Sequence, residues 1–267
     1  MIDRMRAEAV FRAYTSNYDL DNVMIRHKVE HTFRVAENCE KIARSLHMDV
    51  SSVAFAWFLG LLHDIGRFEQ ARRFGTFVDS VSVDHAEFGA DLLFKDKLID
   101  SFPVEELTAE DLCLLETAIR LHNKLTLPEN LDTRTRCFCN LIRDADKADI
   151  FRVIAELPFD KRVGTSRSLF QEASEAGEAV MDCVRSHRCV PRNLVKTRFE
   201  ARISHGCMAF ELVYPESRRI VREQGFLSRL LAEQDADGKA LWSERERDQL
   251  RVLRMEIEKS FEQEETI

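Results

Sequence analysis

Apolar residues recur along most of this chain at spacings of three and four, while the alternation expected of strands is nearly absent. That spacing matches 3.6 residues per turn, so the pattern predicts helices. Between Lys28 and Leu46, the residues Val29, Phe33, Val35, Ala36, Cys39, Ile42, Ala43 and Leu46 make one apolar face. A second helix is expected from about Val53 to Ile65, with Ser51 and Ser52 as caps. Its middle, AFAWFLGLLH, is apolar nearly all round, which marks a central, buried helix. Gly66 suits the C-terminus of that helix. Residues 67–83 contain Gly75, Thr76, Asp79 and Ser80 and read as a loop with a helical turn at Phe68–Phe74. Further helices are expected over about 84–97, 108–122 and 134–155, with breaks at Pro103 and Pro128.

The character changes beyond Pro158. Residues 161–205 are polar, basic in places and weakly periodic. Two helical patterns follow, near Met208–Glu233 and Ser243–Glu262; Pro215 and Gly225 interrupt the first. The tail EQEETI reads as frayed. The expected organisation is an all-α core over residues 1–160 and a helical extension over 161–267 that packs on it. A chain of 267 residues suffices for one large domain or for a domain with such an appendage.

Composition narrows the function classes. The net charge of -8 argues against tracking a nucleic-acid backbone, but leaves room for a local basic pocket. The start, MIDRMRAEAV, carries charges where an export signal needs an apolar run. The longest apolar runs, such as Ala54 to Leu62, fall short of the roughly 20 residues of a membrane span. A cytoplasmic protein with no membrane partner is expected. Seven cysteines, odd in number and scattered, read as reduced thiols; Cys137 and Cys139 have no second pair at zinc-ligand spacing. The chain has no Walker loop, no G-x-S-x-G and no G-x-G-x-x-G.

The dipeptide His63-Asp64 needs explaining, because it ends the most apolar helix in the chain. Burying an ionised carboxylate without a partner costs several kcal/mol, so a metal or a paired base is expected there. On the dipeptide alone, a buried His-Asp hydrogen bond is the simpler reading. But His31 lies upstream on the amphipathic helix. Downstream, Asp144, Asp146 and Asp149 crowd LIRDADKADIF among Leu141, Ile142, Ala145, Ala148 and Ile150. A divalent site with mixed imidazole and carboxylate ligands would compensate those charges. The alternative is a solvated acidic face paired with Arg143 and Lys147, which fits Asp149 well and Asp146 poorly. Arg67 directly follows the His-Asp pair and, with Arg72 and Arg73 soon after, suits phosphate binding. The alternative is a surface ion pair with Glu69 or Asp79, at least as good a reading for Arg72 and Arg73, which leaves Arg67 as the candidate. Asp79 and Asp84 are candidates to orient histidines, and Lys124 to face the pocket.

The order His31 in HTFRV, His63-Asp64 in LLHDIG, and an aspartate in LIRDADKAD resembles the HD-domain superfamily of metal-dependent phosphohydrolases. The stretch HDIGRFEQ is similar to one uncharacterised subgroup. The resemblance covers roughly residues 25–155. It implies an HD-domain helical bundle in which His31, His63, Asp64 and the downstream aspartate bind a divalent metal. The family frame, an apolar helix ending in Ala-Asp, favours Asp146 over Asp144. Branches with two metals resemble this chain further, which implies His85 and His122 as ligands of a second ion; hydrogen bonding near a one-metal pocket is the alternative. His27, His47, His187 and His205 match no motif position.

The resemblance thus implies a phosphohydrolase for a small phosphate ester, a nucleotide or related compound. Asp64 and Arg67 would be catalytic, Arg67 and Lys124 would contact substrate, and one or two Mg, Mn or Fe ions would be the cofactor. Two alternatives share the residues. One is a di-iron HD-fold oxygenase. The other is a nucleotide-sensing or interaction module, with the C-terminal region as a surface for self-association into a homo-oligomer.

Overall fold

The structure is a computed structural model, and it describes residues 2–156, 175–235 and 237–263. The fold is all-α; among the described residues the only β pairing is a single antiparallel bridge between Gln234 and Ala240. The chain divides into two compact units, Met1–Asp149 and Ile150–Ile267. The expected domain boundary at residue 160 and most of the tail lie outside the described residues.

The first unit is built from α1 (Arg4–Thr15), α2 (Val23–Ser45), α3 (Val50–Leu62), α4 (Gly66–Phe74), α5 (His85–Ala90), α6 (Ala109–Leu121) and most of α7 (Thr133–Glu156). Helix α3 is its centre. Nine of its residues are buried, from Val53 to Leu62, as an all-round apolar helix requires. It lies closely along α2. A Cβ on Gly60 would stand 2.6 Å from the Cα of Ala36, so only glycine permits this approach. Helix α1, absent from the sequence expectation, closes the unit by burying Phe11 edge-on against Phe33 and Phe68, with ring centroids 5.5 and 5.9 Å apart.

Three local expectations need correction. The cap of α3 is Asp49, whose side chain accepts from the backbone N–H groups of Ser51 and Ser52; the helix therefore begins three residues earlier than expected. Gly66 does not end α3. It opens α4, and its reason for being glycine is contact: a Cβ there would lie 2.5 Å from the carbonyl oxygen of His85 and 2.6 Å from the nitrogen of Gly89. The segment read as loop begins with the nine-residue α4, which ends at Gly75 in a left-handed conformation. Helix α5 starts at an Asp84 cap and continues as a π-helical turn, Asp91–Lys95.

The second unit holds α8 (Glu178–Arg185), α9 (Arg198–Cys207), α10 (Pro215–Gln224), α11 (Phe226–Leu230) and α12 (Glu244–Gln263). Pro215 and Gly225 do break the pattern, at the start of α10 and between α10 and α11. Helices α8 and α9 lie in the stretch that reads as weakly periodic. They are short, and α9 is started by a reciprocal cap between Thr197 and Glu200. No helix among the described residues is long and apolar enough to cross a membrane.

Candidate metal centre

Five separate segments of the first unit bring six side chains to one place. His31 comes from the middle of α2. His63 and Asp64 sit in the turn after α3. His85 is the first residue of α5, His122 caps the end of α6, and Asp146 lies on α7. All four imidazoles and Asp64 are buried. In overlapping groups of three, their ligand atoms lie within 4.8 Å of one another.

Asp64 is the centre of the arrangement, with one oxygen toward each half. Its Oδ2 lies 3.6 Å from Nε2 of His31 and 3.6 Å from Nε2 of His63. Asp146 completes that half, its Oδ1 being 3.1 Å from His31 and 3.8 Å from His63. Oδ1 of Asp64 lies 3.4 Å from Nε2 of His85 and 3.8 Å from Nε2 of His122.

The outer nitrogens decide what the inner ones can do. Nδ1 of His31 contacts Asp149 at 2.7 Å, and Nδ1 of His85 contacts Asp79 at 2.6 Å. Nδ1 of His63 contacts the carbonyl of Gly60, and that of His122 the carbonyl of Ile119, both at 2.7 Å. All four partners are acceptors, so each Nδ1 carries the proton and donates it. Each Nε2 then points a lone pair inward when its ring is neutral. The Nε2 atoms of His85 and His122 are 3.0 Å apart, with no proton left to share between neutral rings. His31 Nε2, His63 Nε2 and Asp64 Oδ1 are buried without a hydrogen-bond partner. Unsatisfied buried groups cost about 1–3 kcal/mol each. A cation among them would remove that cost, and imidazole with carboxylate is the donor set of Mn, Fe or Zn. The residues present fit a divalent metal.

Residues 29–153 match the family model of the HD domain. That segment is an HD domain. HD domains belong to a superfamily of metal-dependent phosphohydrolase type and bind divalent metals. No curated protein and no solved structure matches the chain.

Charges in this HD domain follow from burial set against neighbours. Burial opposes ionisation of Asp64, but Lys28, His63, Arg67 and His85 outweigh it and hold its pKa well below the usual range. Asp146 is likewise held low, against burial, by His31 and His63. For His31 burial presses the pKa down, as does Lys28, yet Asp146 and Asp149 lift it above its ordinary value. Burial dominates at His63, lowering its pKa, and at His122, pushed down to about 3 with help from His85 and His63.

Several residues stand elsewhere than the sequence suggests. Asp149 is not on a solvated face. It is fully buried, and besides His31 it takes Arg34 in a two-pronged pair at 2.6 and 3.0 Å. Asp144 is buried but belongs to none of the candidate ligand groups, whereas Asp146 does. Nη1 of Arg67 donates to Asp79 and to the Phe77 carbonyl, both at 2.7 Å, and to Gln70 at 3.0 Å; its Nε lies 3.5 Å from Asp64 Oδ1. Arg72 and Arg73 both pair with Glu69. Lys124 is held by Asp84 at 2.6 Å and Glu87 at 3.5 Å. Asp84 therefore caps α5 and anchors a lysine, while Asp79 alone of the two orients a histidine.

Sequence reasoning missed Lys28, whose Nζ is 2.6 Å from Asp64 Oδ2, and the role of Asp149. A signal was available: Lys28 precedes His31 by three, and Asp149 follows Asp146 by three, so each shares a helix face with a candidate ligand. Two grooves of about 210 and 480 Å³ meet at Trp57 and share none of the six residues. Of the histidines outside the cluster, His187 stacks on Phe210 and bonds Glu256 at 2.9 Å.

Proposed function

We propose that this protein is a metal-dependent phosphohydrolase acting on a small phosphate ester, with a two-ion site in which Asp64 is the shared ligand. The observation that carries the reading is the division of Asp64, one oxygen toward His31, His63 and Asp146, the other toward His85 and His122. A carboxylate in that position serves two ions, and two ions suit an in-line displacement at phosphorus. His31, His63 and Asp146 would hold one ion, and His85 and His122 the other. When bound, the ions supply Lewis-acid polarisation of a phosphoryl oxygen and lower the pKa of attacking water.

The chain's own groups do the rest. Asp149, Asp79 and the carbonyls of Gly60 and Ile119 hold each imidazole with Nε2 inward, so a neutral ring presents its lone pair to a metal without changing tautomer. Arg67, fixed by Asp79 and Gln70, places a permanent positive charge beside Asp64 and offsets the charge of a phosphate. Burial of the whole cluster strengthens each of these interactions. Lys124 would take part from farther out, after release from Asp84.

Metal content of anaerobically purified protein tests the reading, together with hydrolysis of p-nitrophenyl phosphate and bis-p-nitrophenyl phosphate. Wild type is expected to hold two ions per chain and to cleave at least one ester. His85→Ala is expected to hold one ion. Asp64→Ala is expected to hold none and to lose activity to background, with unchanged helical content. The same donor set suits iron. Two irons per chain with dioxygen consumption and no ester cleavage would overturn the hydrolase reading in favour of an oxygenase.

A further inference from the structure

Of the cations beside the cluster among the described residues, Arg34, Arg67 and Lys124 are committed. Arg34 is spent on Asp149. Nη1 of Arg67 is shared among Asp79, Gln70 and a backbone carbonyl. Lys124 is held by Asp84 and Glu87. Lys28 differs. Its ammonium has three donors, and its one partner among the described residues is Oδ2 of Asp64, at 2.6 Å. Its side chain keeps 19% exposure where Asp64 keeps 3%, so it stands between the buried carboxylate and solvent. It is also fixed in place, because α2 carries it one turn before His31 on the same face, and Thr32 bonds its carbonyl at 2.9 Å.

An ammonium with two spare donors at the solvent side of a buried, cation-seeking cluster is built to meet an incoming oxyanion. We infer that Lys28 is the residue that binds the substrate's phosphoryl oxygens, a role that no motif of the sequence marks. It is a point charge with rotatable donors, so it follows a phosphate as its geometry changes during reaction. The inference rests on the proposed phosphohydrolase reading for its substrate, but its own claim is narrower: an oxyanion binds at this site through Lys28.

The test uses inorganic phosphate as the probe, on full-length protein loaded with Mn. Phosphate affinity is measured by calorimetry for wild type, Lys28→Met and Lys28→Arg, with metal per chain counted in each. One charge-assisted hydrogen bond corresponds to about a tenfold loss or more. Lys28→Met is therefore expected to bind phosphate at least about tenfold more weakly while keeping the wild-type metal content, and Lys28→Arg to recover part of the loss. In ester hydrolysis, Lys28→Met is expected to raise KM along with any fall in kcat. Equal phosphate affinity in wild type and Lys28→Met overturns the inference. So does loss of metal together with phosphate in Lys28→Met, which would make Lys28 a support of the ligands. Failure of the wild type to bind phosphate overturns it as well. Wild type that binds phosphate through Lys28 yet cleaves no ester leaves this inference standing and removes the hydrolase reading.

Discussion

The Oδ2 and Oδ1 sides of Asp64 are unequal. On the Oδ2 side stand two imidazoles and the carboxylate of Asp146, each imidazole Nε2 within 3.8 Å of an oxygen of Asp64 and of Asp146, with Lys28 at the rim. On the Oδ1 side stand two imidazoles alone, with Arg67 behind. Their supports differ too. The Oδ2 side is carried by α2 and α7, the two longest helices, and by the turn that follows α3. The Oδ1 side hangs on α5, a six-residue helix, and on the last turn of α6. With fewer protein donors, an ion on the Oδ1 side would be held less tightly and would keep more positions open for substrate. The difference separates holding from exchange within a single cluster.

Two glycines give the strongest way to break this comparison. Gly66→Ala would place a methyl group 2.5 Å from the backbone oxygen of His85, so α4 and α5 must part and His85 must move. Gly60→Ala would place one 2.6 Å from the Cα of Ala36, separating α3 from α2 and disturbing His63 and His31 instead. Both are backbone collisions, with an expected destabilisation of about 1–3 kcal/mol or more. Thermal unfolding measures that cost, and metal content separates the sides. Gly66→Ala should retain one ion per chain, whereas Gly60→Ala should fall below one. Identical losses in the two variants would show that the cluster acts as one unit.

The same contrast explains what was legible in the sequence. Helices α2, α3 and α7 are long, and their apolar faces repeat often enough to be read from spacing alone, so His31, His63, Asp64 and Asp146 could be placed on one bundle. Helix α1 was missed because only Ala7, Phe11 and Thr15 are buried along its twelve residues, too few to set a period. Gly66 was misread because its constraint is a contact with a residue 19 positions later, which no local pattern encodes. Asp149 was misread for a related reason. A carboxylate on a helix that also carries Arg143 and Lys147 looks solvated, and its true partners, His31 and Arg34, lie more than a hundred residues away. Tertiary pairing decides such charges.

A milder probe acts on the groups behind the imidazoles. Asp79→Asn would loosen His85 on the Oδ1 side, and Asp149→Asn would loosen His31 on the Oδ2 side. Loss of such a partner weakens metal affinity by about 10- to 100-fold. The expectation is that Asp79→Asn weakens only the second binding step in a metal titration, and Asp149→Asn only the first. Asp149→Asn should also cost stability, of order 1–3 kcal/mol, because Arg34 loses its charged partner; Arg34 is partly exposed, which keeps the figure below that of a fully buried pair. Asp79→Asn weakening both steps equally would rule out independent sides.

Protons compete with metals for the same lone pairs, and the two sides respond to them differently. The pKa of His31 lies above the ordinary 6.5 because the carboxylates of Asp146 and Asp149 outweigh burial; His122, chiefly through burial, is pushed down to about 3. Lowering the pH from 8 to 6 therefore protonates His31 first and leaves His122 a free ligand. In the metal-free protein the signs follow from which state binds more protons. The His31 contribution to stability is fully present below 6.5 and is lost as pH rises through its raised value. The contribution of His122 is fully present above 6.5 and is lost as pH falls toward 3. In the metal-loaded protein, the ion on the Oδ2 side should weaken several-fold between pH 8 and 6, by more than the ion on the Oδ1 side. His85→Ala isolates the first, since its single remaining ion would sit with His31. Calorimetric titration of that variant and of wild type at both pH values gives the two slopes. If the second step in wild type is the more acid-sensitive, then His31 is protected from protons in the native site, and the order of strength argued from ligand number would have to rest on the helices instead.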